Sequence, residues 1–238
     1  MLNAALLFLA ALGAAAVSGS AGFGGALLLL PLLVKTVGVT DAVPLLTIAQ
    51  LIGNLSRAAL GFTQIRWRPV AWFLLGAIPF SILGAQSFLA FPKTIVTRCI
   101  GAAILLFLAL KMFNLVRLRA GPAWLGVGGG VVGCLSGLVG SAGPLGAAVF
   151  LALGLPPVAY VASEATTALA MHGVKMLVYG RYLALDRQFW FLAGLMGIAM
   201  VLGTWLTKRI VERIPRERFQ KYVALLLAVL AAYMLVHG

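Results

Sequence analysis

Two long apolar segments of the chain carry a cation at matching positions. Arg57 lies in the first and Lys175 in the second, and each follows a polar side chain by three residues, Asn54 and His172 respectively. Ionisable side chains inside membrane segments are costly, so they face the interior of a helix bundle and mark a pathway. We therefore expect both cations to face one small anion. The alternative is that they snorkel towards the lipid headgroups, because each lies near the end of its segment.

Further polar residues share these faces. Thr47 and Gln50 precede Asn54 and Arg57 at steps of three and four, which places all four on one side of a helix. Glu164 is the one acidic residue inside an apolar segment. It fits two roles, a counter-ion for a buried cation or a proton carrier, and the sequence leaves both open.

Two glycine-rich stretches interrupt the apolar sequence. They read SGSAGFGGALLLLPLL from Ser18 and SGLVGSAGPLG from Ser136. A helix that starts after such a break presents free N–H groups that bind anions, and glycine lets the backbone approach a ligand closely. Tight helix packing through small residues is the alternative. The predicted substrate-binding residues are Ser18, Ser20, Gly22, Gly24, Gly25, Gln50, Asn54, Arg57, Ser136, Gly140, Ser141, Gly143, His172 and Lys175, with Glu164 as counter-ion or proton candidate.

Composition indicates a membrane protein. Of 238 residues, 63% are hydrophobic and only 10% charged, against about 25% charged in soluble domains. The net charge of +13 comes from short basic clusters between apolar runs, which is typical of cytoplasmic loops and excludes nucleic-acid binding as a function. We expect no metal, no cofactor and no enzyme activity, because no metal-binding or catalytic motif is present. Cys99 and Cys134 are read as packing residues.

The chain repeats itself. Ser18, Asn54 and Arg57 meet Ser136, His172 and Lys175 at one constant offset. Internal duplication is typical of secondary transporters. We predict an all-α polytopic membrane protein with a first repeat at 1–120 and a second at 121–238, each a glycine-tipped helical hairpin plus three transmembrane helices. The predicted segments are a hairpin at 2–40, helices near 43–63, 69–91 and 94–116, a hairpin at 122–155, and helices near 157–180, 187–207 and 217–236.

The positive charges indicate how the repeats are oriented. If each glycine break is the tip of a hairpin, the repeats are inverted and most basic residues fall on one side. If each break lies within one crossing helix, the repeats are parallel and the charges divide almost evenly. The first arrangement is favoured, with both termini outside the cytoplasm. Hairpin arms of about 15 residues, some 22 Å long, would bring the two tips together near the membrane centre.

The glycine-rich stretches and the repeat plan of this sequence resemble those of the sulfite exporter (TauE/SafE-like) family of bacterial membrane permeases. The resemblance covers nearly the whole chain and rests on the two glycine-rich stretches, the repeat plan, and the NLSR and HGVK segments. It implies transport of sulfite, sulfoacetate or other organosulfonates across the bacterial cytoplasmic membrane, generally outward. The implied partners are a small anion and the lipid bilayer. A homo-oligomer is possible and the sequence does not decide it.

The sequence suggests a mechanism with three alternatives. An anion would bind between the hairpin tips, and rocking of one repeat against the other would release it outside. An anion channel, a proton-coupled uptake permease that uses Glu164 or His172, and a membrane scaffold without a substrate are the alternatives.

Overall fold

The fold is a bundle of α-helices. The computed structural model describes residues 2–86, 98, 101–102, 104–105, 108–109, 121–139, 143–179 and 187–237, and within these ranges every regular element is helical. The all-α prediction is thereby confirmed. The helices are α1 (Leu2–Ala21), α2 (Gly25–Leu60), a 3₁₀ turn (Phe62–Gln64), α3 (Trp67–Gln86), α4 (Pro122–Val139), α5 (Gly143–Leu151), α6 (Pro157–Tyr179), α7 (Arg187–Val211) and α8 (Arg216–His237).

The first helix is longer than the predicted hairpin arm. It has 20 residues, which corresponds to about 30 Å and is enough to cross a bilayer core. The helix continues through Ser18 because one serine or glycine inside an alanine-rich helix costs only about 1 kcal/mol or less. It ends where Gly22 and Gly24 adopt positive φ angles of 88° and 100°.

Helix α2 reverses direction along its length. It has 36 residues, so a straight helix would be about 54 Å long. Yet a Cβ placed on Gly25 would lie 3.3 Å from Nε2 of Gln50, a residue that a straight helix would hold about 37 Å away. The chain therefore folds back between Gly25 and Gln50. Its final part, which carries the polar face, returns to the tip between α1 and α2.

Two pairs of helices pack closely and in parallel. In the α1–α7 pair, a Cβ on Gly203 would lie 2.7 Å from the carbonyl oxygen of Leu12. In the α3–α4 pair, a Cβ on Gly133 would collide with the carbonyl of Ala77. At the constant offset of the sequence repeat, α1 corresponds to α4 and α3 to α7. Each close pair therefore joins one helix from each half of the chain.

The end of α2 runs antiparallel to α6. Gly61 lies beside Val158 and Ala162 near the start of α6, and Arg57 lies beside Glu164 further along. These two helices are also equivalents in the repeat. They cross in opposite directions at the centre of the bundle.

The apolar core has two parts, and α2 contributes to both. Ala49 packs in a cluster with α1 and α7, whereas Ala58 packs in a second cluster with α5, α6 and α8. The polar residues Gln50, Asn54 and Arg57 lie between these two positions on α2. The fold thus places the predicted polar face between two apolar clusters.

Some predictions fall outside the described residues. These are Gly140 and Ser141 of the second glycine-rich stretch, Cys99, and most of the predicted helix near 94–116. The repeat boundaries at 1–120 and 121–238 remain predictions.

Candidate functional site

Arg57 lies against the tip of the α1–α2 hairpin. Its side chain is 4% exposed, and Nη1 donates hydrogen bonds to the carbonyl oxygens of Ser18 at 2.9 Å and Gly22 at 2.6 Å. Nη2 donates to Oδ1 of Asn54, one turn earlier on α2. A cation is favourable at a helix C-terminus, where carbonyl groups are left over and the helix dipole is negative. Arg57 therefore fixes the end of α1, and it is not a headgroup anchor.

The hairpin tip uses its glycines for a tight turn. The amide of Gly25 donates to the Ser18 hydroxyl at 2.9 Å, and a Cβ on Gly25 would collide with that hydroxyl and lie 2.9 Å from the carbonyl of Ala14. A Cβ on Gly22 would lie 3.0 Å from the Tyr160 ring. The expectation of a bare amide at Gly25 is therefore wrong in this structure, because Ser18 occupies that amide.

The second half of the chain repeats the cation–serine arrangement. Nζ of Lys175 donates to Oγ of Ser136 at 3.1 Å, and both side chains are buried. Both contacts, Arg57 with Ser18 and Lys175 with Ser136, span 39 residues of sequence. Gly143, the predicted start of the second hairpin arm, is the first residue of α5. The duplication seen in the sequence is thus also a duplication of a buried contact.

The two cations lie at different levels along α6. Arg57 contacts Glu164, and Glu164 and Lys175 are eleven residues apart on α6, which corresponds to about 16 Å of helix. That both cations face one anion stays a prediction, and along α6 the two cations stand at different levels. The reason is that the end of α2 and α6 run antiparallel, so equivalent residues move to opposite ends of the pair.

Polar side chains on two helices lie between the two cations. On α2 they are Arg57, Asn54, Gln50 and Thr47, all buried. On α6 they are Glu164, Thr167, His172 and Lys175. We call these eight residues the polar ladder.

Several atoms of the polar ladder lack hydrogen-bond partners within the described part of the chain. They are Nε of Arg57, Nε2 of Gln50, Oε2 of Glu164 and Nδ1 of His172. Burying a polar group without a partner costs free energy, so such groups are rare in folded proteins. Four of them on one ladder mark a place that suits a polar ligand.

A small recess reaches Arg57 from the end of α7. It has a volume of about 20 Å³, room for about one water molecule. The recess is lined by Gly19, Arg57, Leu60, Gly61, Val158, Val161, Thr204, Lys208 and Val211.

The helices around this site have the length and composition of membrane spans. Among the described residues, four qualify: Ala4–Ala21, Trp67–Gly84, Arg187–Val211 and Arg216–Val236. Large apolar side chains such as Leu75, Phe191 and Leu225 are exposed on their outer faces. An apolar exterior around a buried polar ladder is the inverse of a soluble protein and is what a bilayer requires.

A family model for the sulfite exporter TauE/SafE matches residues 7–234. The chain belongs to this family. It is therefore a membrane transporter and not an enzyme, and sulfite export is the activity that gives the family its name. No curated protein and no solved structure matches the chain significantly.

Ser20, a predicted site residue, lies away from the polar ladder. The Ser20 hydroxyl donates to the carbonyl of Val17 at 3.0 Å and contacts the Tyr222 hydroxyl on α8 at 3.0 Å. Ser20 follows Ser18 by two residues, and residues two apart on a helix do not share a face.

Sequence reasoning missed Tyr160. Its ring packs against Gly22 and lies edge-on to Phe219 with centroids 5.5 Å apart, and its hydroxyl donates to the carbonyl of Ala147 at 3.3 Å. Tyr160 therefore connects the first hairpin tip to α5 and α8. Its spacing of four residues from Glu164 on α6 was the available signal.

A metal centre has no support among the described residues, where no three His, Cys, Asp or Glu side chains cluster. The chemistry that the site offers is cationic and amide donors, which suits oxyanions.

Proposed function

We propose that this chain exports small sulfur-containing oxyanions, sulfite or organosulfonates such as sulfoacetate, across the cytoplasmic membrane. The observation that carries the proposal is the buried guanidinium of Arg57, whose Nε has no partner among the described residues and whose side chain lines a recess. Planar guanidinium donors match the oxygens of sulfite and sulfonate groups.

The buried charges of the site leave one positive charge to be offset. Within the described residues, the buried charged side chains are Arg57, Lys175 and Glu164, whose formal charges sum to +1. An uncompensated charge in the membrane interior is costly. One negative charge on the substrate would neutralise the interior.

Two inverted repeats are part of the proposal. Equivalent helices run in opposite directions where the end of α2 crosses α6, and each close helix pair joins the two halves of the chain. The turn at Arg66 and Arg68 lies at the same end of the bundle as Lys208, so we assign this basic end to the cytoplasm. Both termini then lie on the other side of the membrane.

The transport cycle follows from this arrangement. The anion reaches Arg57 from the cytoplasmic end, passes along the polar ladder, and leaves from the end that holds Ser136, His172 and Lys175. The α1–α7 and α3–α4 pairs are the units that rock to open each end in turn. Expelling one negative charge from a cell with a negative interior is downhill by about 2.3 kcal/mol per 100 mV, so export needs no coupling ion. Glu164 serves as the counter-ion of Arg57.

Flux measurements on purified protein in liposomes test the proposal. Sulfite, sulfoacetate, sulfate and acetate are compared under an imposed membrane potential. We expect saturable sulfite or sulfoacetate flux that follows the potential, with little acetate flux. Absence of flux for every anion would reject the transporter proposal for these substrates, and single-molecule conductance far above carrier turnover would replace the carrier with a channel.

A further inference from the structure

The recess at Arg57 lies on a boundary between two groups of helices. Thr204, Lys208 and Val211 of α7 form one wall, and residues of α2 and α6 form the facing wall. Gly19 of α1 also lines the recess, and α1 packs closely on α7 through Gly19 and Gly203. Movement of the α1–α7 pair away from α2 and α6 would open the recess without breaking that close contact, and it would separate the carbonyls of Ser18 and Gly22 from Arg57.

The lining residues are graded from the surface inward. Lys208 is partly exposed, with 30% of its side chain accessible, and its Nζ lies 3.4 Å from Oε1 of Glu212 one turn on. Thr204 lies one turn deeper and is buried at 3% exposure. Arg57 is buried to a similar extent, at 4% exposure, and its Nε has no partner among the described residues. A partly exposed cation, a buried hydroxyl and a buried cation thus line one recess.

The recess is small compared with the anion. About 20 Å³ admits a water molecule but not a sulfite or sulfonate group. The recess is therefore too narrow for the anion in this structure. The partly exposed Lys208 pairs with Glu212 one turn on in the same helix, an ion pair of the kind that contributes little stability, and this pair does not bridge the two walls of the recess.

We infer that this recess is the cytoplasmic entrance for the anion, with Lys208 as the first contact, Thr204 as a hydrogen-bond donor on the way, and Arg57 as the destination. The ligand class is a small sulfur oxyanion. The inference rests on the proposed function and adds to it the route and two selecting residues.

The neighbouring residue Arg209 provides a matched control. It carries the same charge, is exposed, and lies over the Trp205 ring at 4.3 Å, but it does not line the recess. Thr207 is the control for Thr204, because it is equally buried and its hydroxyl donates to the carbonyl of Gly203 at 2.7 Å.

The test measures uptake of radiolabelled sulfite into inside-out vesicles, which expose the cytoplasmic end, and into right-side-out vesicles. Lys208→Gln should raise KM by about tenfold in inside-out vesicles with kcat unchanged, because a charge at a mouth concentrates the anion. The KM of the Lys208→Gln variant should also depend less on salt concentration than the wild-type KM. Arg209→Gln should leave KM unchanged, and Glu212→Gln should lower it.

Equal KM shifts for Lys208→Gln and Arg209→Gln would show a general surface-charge effect and overturn the entrance. Equal KM values for Thr204→Val and Thr207→Val in both vesicle types would also overturn the entrance. If the wild-type chain moves no sulfite in either type, the proposed function itself fails and the entrance fails with it. Wild-type flux with indistinguishable Lys208 and Arg209 variants rejects the entrance alone.

Discussion

Nη1 of Arg57 lies 3.9 Å from Oε2 of Glu164, with both side chains almost completely buried. The cation belongs to α2 and the carboxylate to α6, which are the two helices that cross at the centre of the bundle. Because Arg57 also holds the carbonyls of Ser18 and Gly22, this one side chain connects the first hairpin tip to the second half of the chain.

Replacing Arg57 with Met should abolish anion flux and also destabilise the protein. Loss of one partner of a buried ion pair leaves the Glu164 carboxylate uncompensated, which typically costs about 3–5 kcal/mol. The double variant Arg57→Met with Glu164→Gln should regain stability but not flux. Thermal unfolding in detergent and flux in liposomes separate the two effects.

The exposed Arg66 is the control for this experiment, and Arg66→Met should leave both quantities unchanged. Normal flux in the Arg57→Met variant would show that the Arg57 guanidinium does not bind the transported anion.

Gly25→Ala should destabilise the first hairpin. The new methyl group would collide with Oγ of Ser18 and press on the carbonyl of Ala14, and overpacking of this kind costs about 1–3 kcal/mol. Gly13 on α1 has no atom within 4 Å of a built Cβ, so Gly13→Ala should be neutral or stabilising. Unfolding temperatures of the two variants in one detergent provide the comparison. Equal values would show that the hairpin tip is not tightly packed.

Ser18→Ala should lower stability by about 1 kcal/mol, because the Gly25 amide loses its buried acceptor. The equivalent Ser136→Ala removes the acceptor of Lys175. We expect both variants to retain folded protein with reduced flux. If Ser18→Ala unfolds at the wild-type temperature, another group accepts the Gly25 hydrogen bond.

Lys175→Met should reduce flux from the side opposite to Arg57. In the inverted arrangement, Lys175 serves the non-cytoplasmic end, so KM should rise for substrate presented in right-side-out vesicles. Lys35 is exposed on α2 and is the control, since Lys35→Met removes an equal charge outside the polar ladder. A KM change confined to inside-out vesicles would contradict the assignment of ends.

Cysteine labelling tests the orientation of the repeats. In a Cys99→Ser and Cys134→Ser background, Thr63→Cys and Arg213→Cys should both react with an impermeant thiol reagent only from the cytoplasm. Reporters fused to the two termini should be accessible from outside. Labelling of the two cysteines from opposite sides would reject inverted repeats.

The sequence predicted the components of the site better than their arrangement. Gly22 and Gly24 stand at a tight helix break because glycine adopts positive φ angles without strain, and that was readable from the glycine run. At Gly25 a Cβ would collide with the Ser18 hydroxyl. Arg57 and Asn54 were placed on one face by their spacing, and they do interact.

The separation of Arg57 from Lys175 could not be predicted. It depends on the reversal within α2 and on the antiparallel crossing of α2 with α6, and neither has a local sequence signal. For the same reason, the Gly25 amide was expected to face a ligand, whereas Ser18 seven residues earlier turns back to occupy it. Contacts across a hairpin are tertiary and depend on how the two arms meet.

One asymmetry in the duplicated plan has a further consequence. Glu164 is matched in the first half by Leu46, a buried apolar residue, so within the polar ladder the carboxylate lies at the Arg57 end. An ion approaching Lys175 meets a stronger net field than one approaching Arg57. A carrier built in this way should rectify, with unequal currents at potentials of equal size and opposite sign.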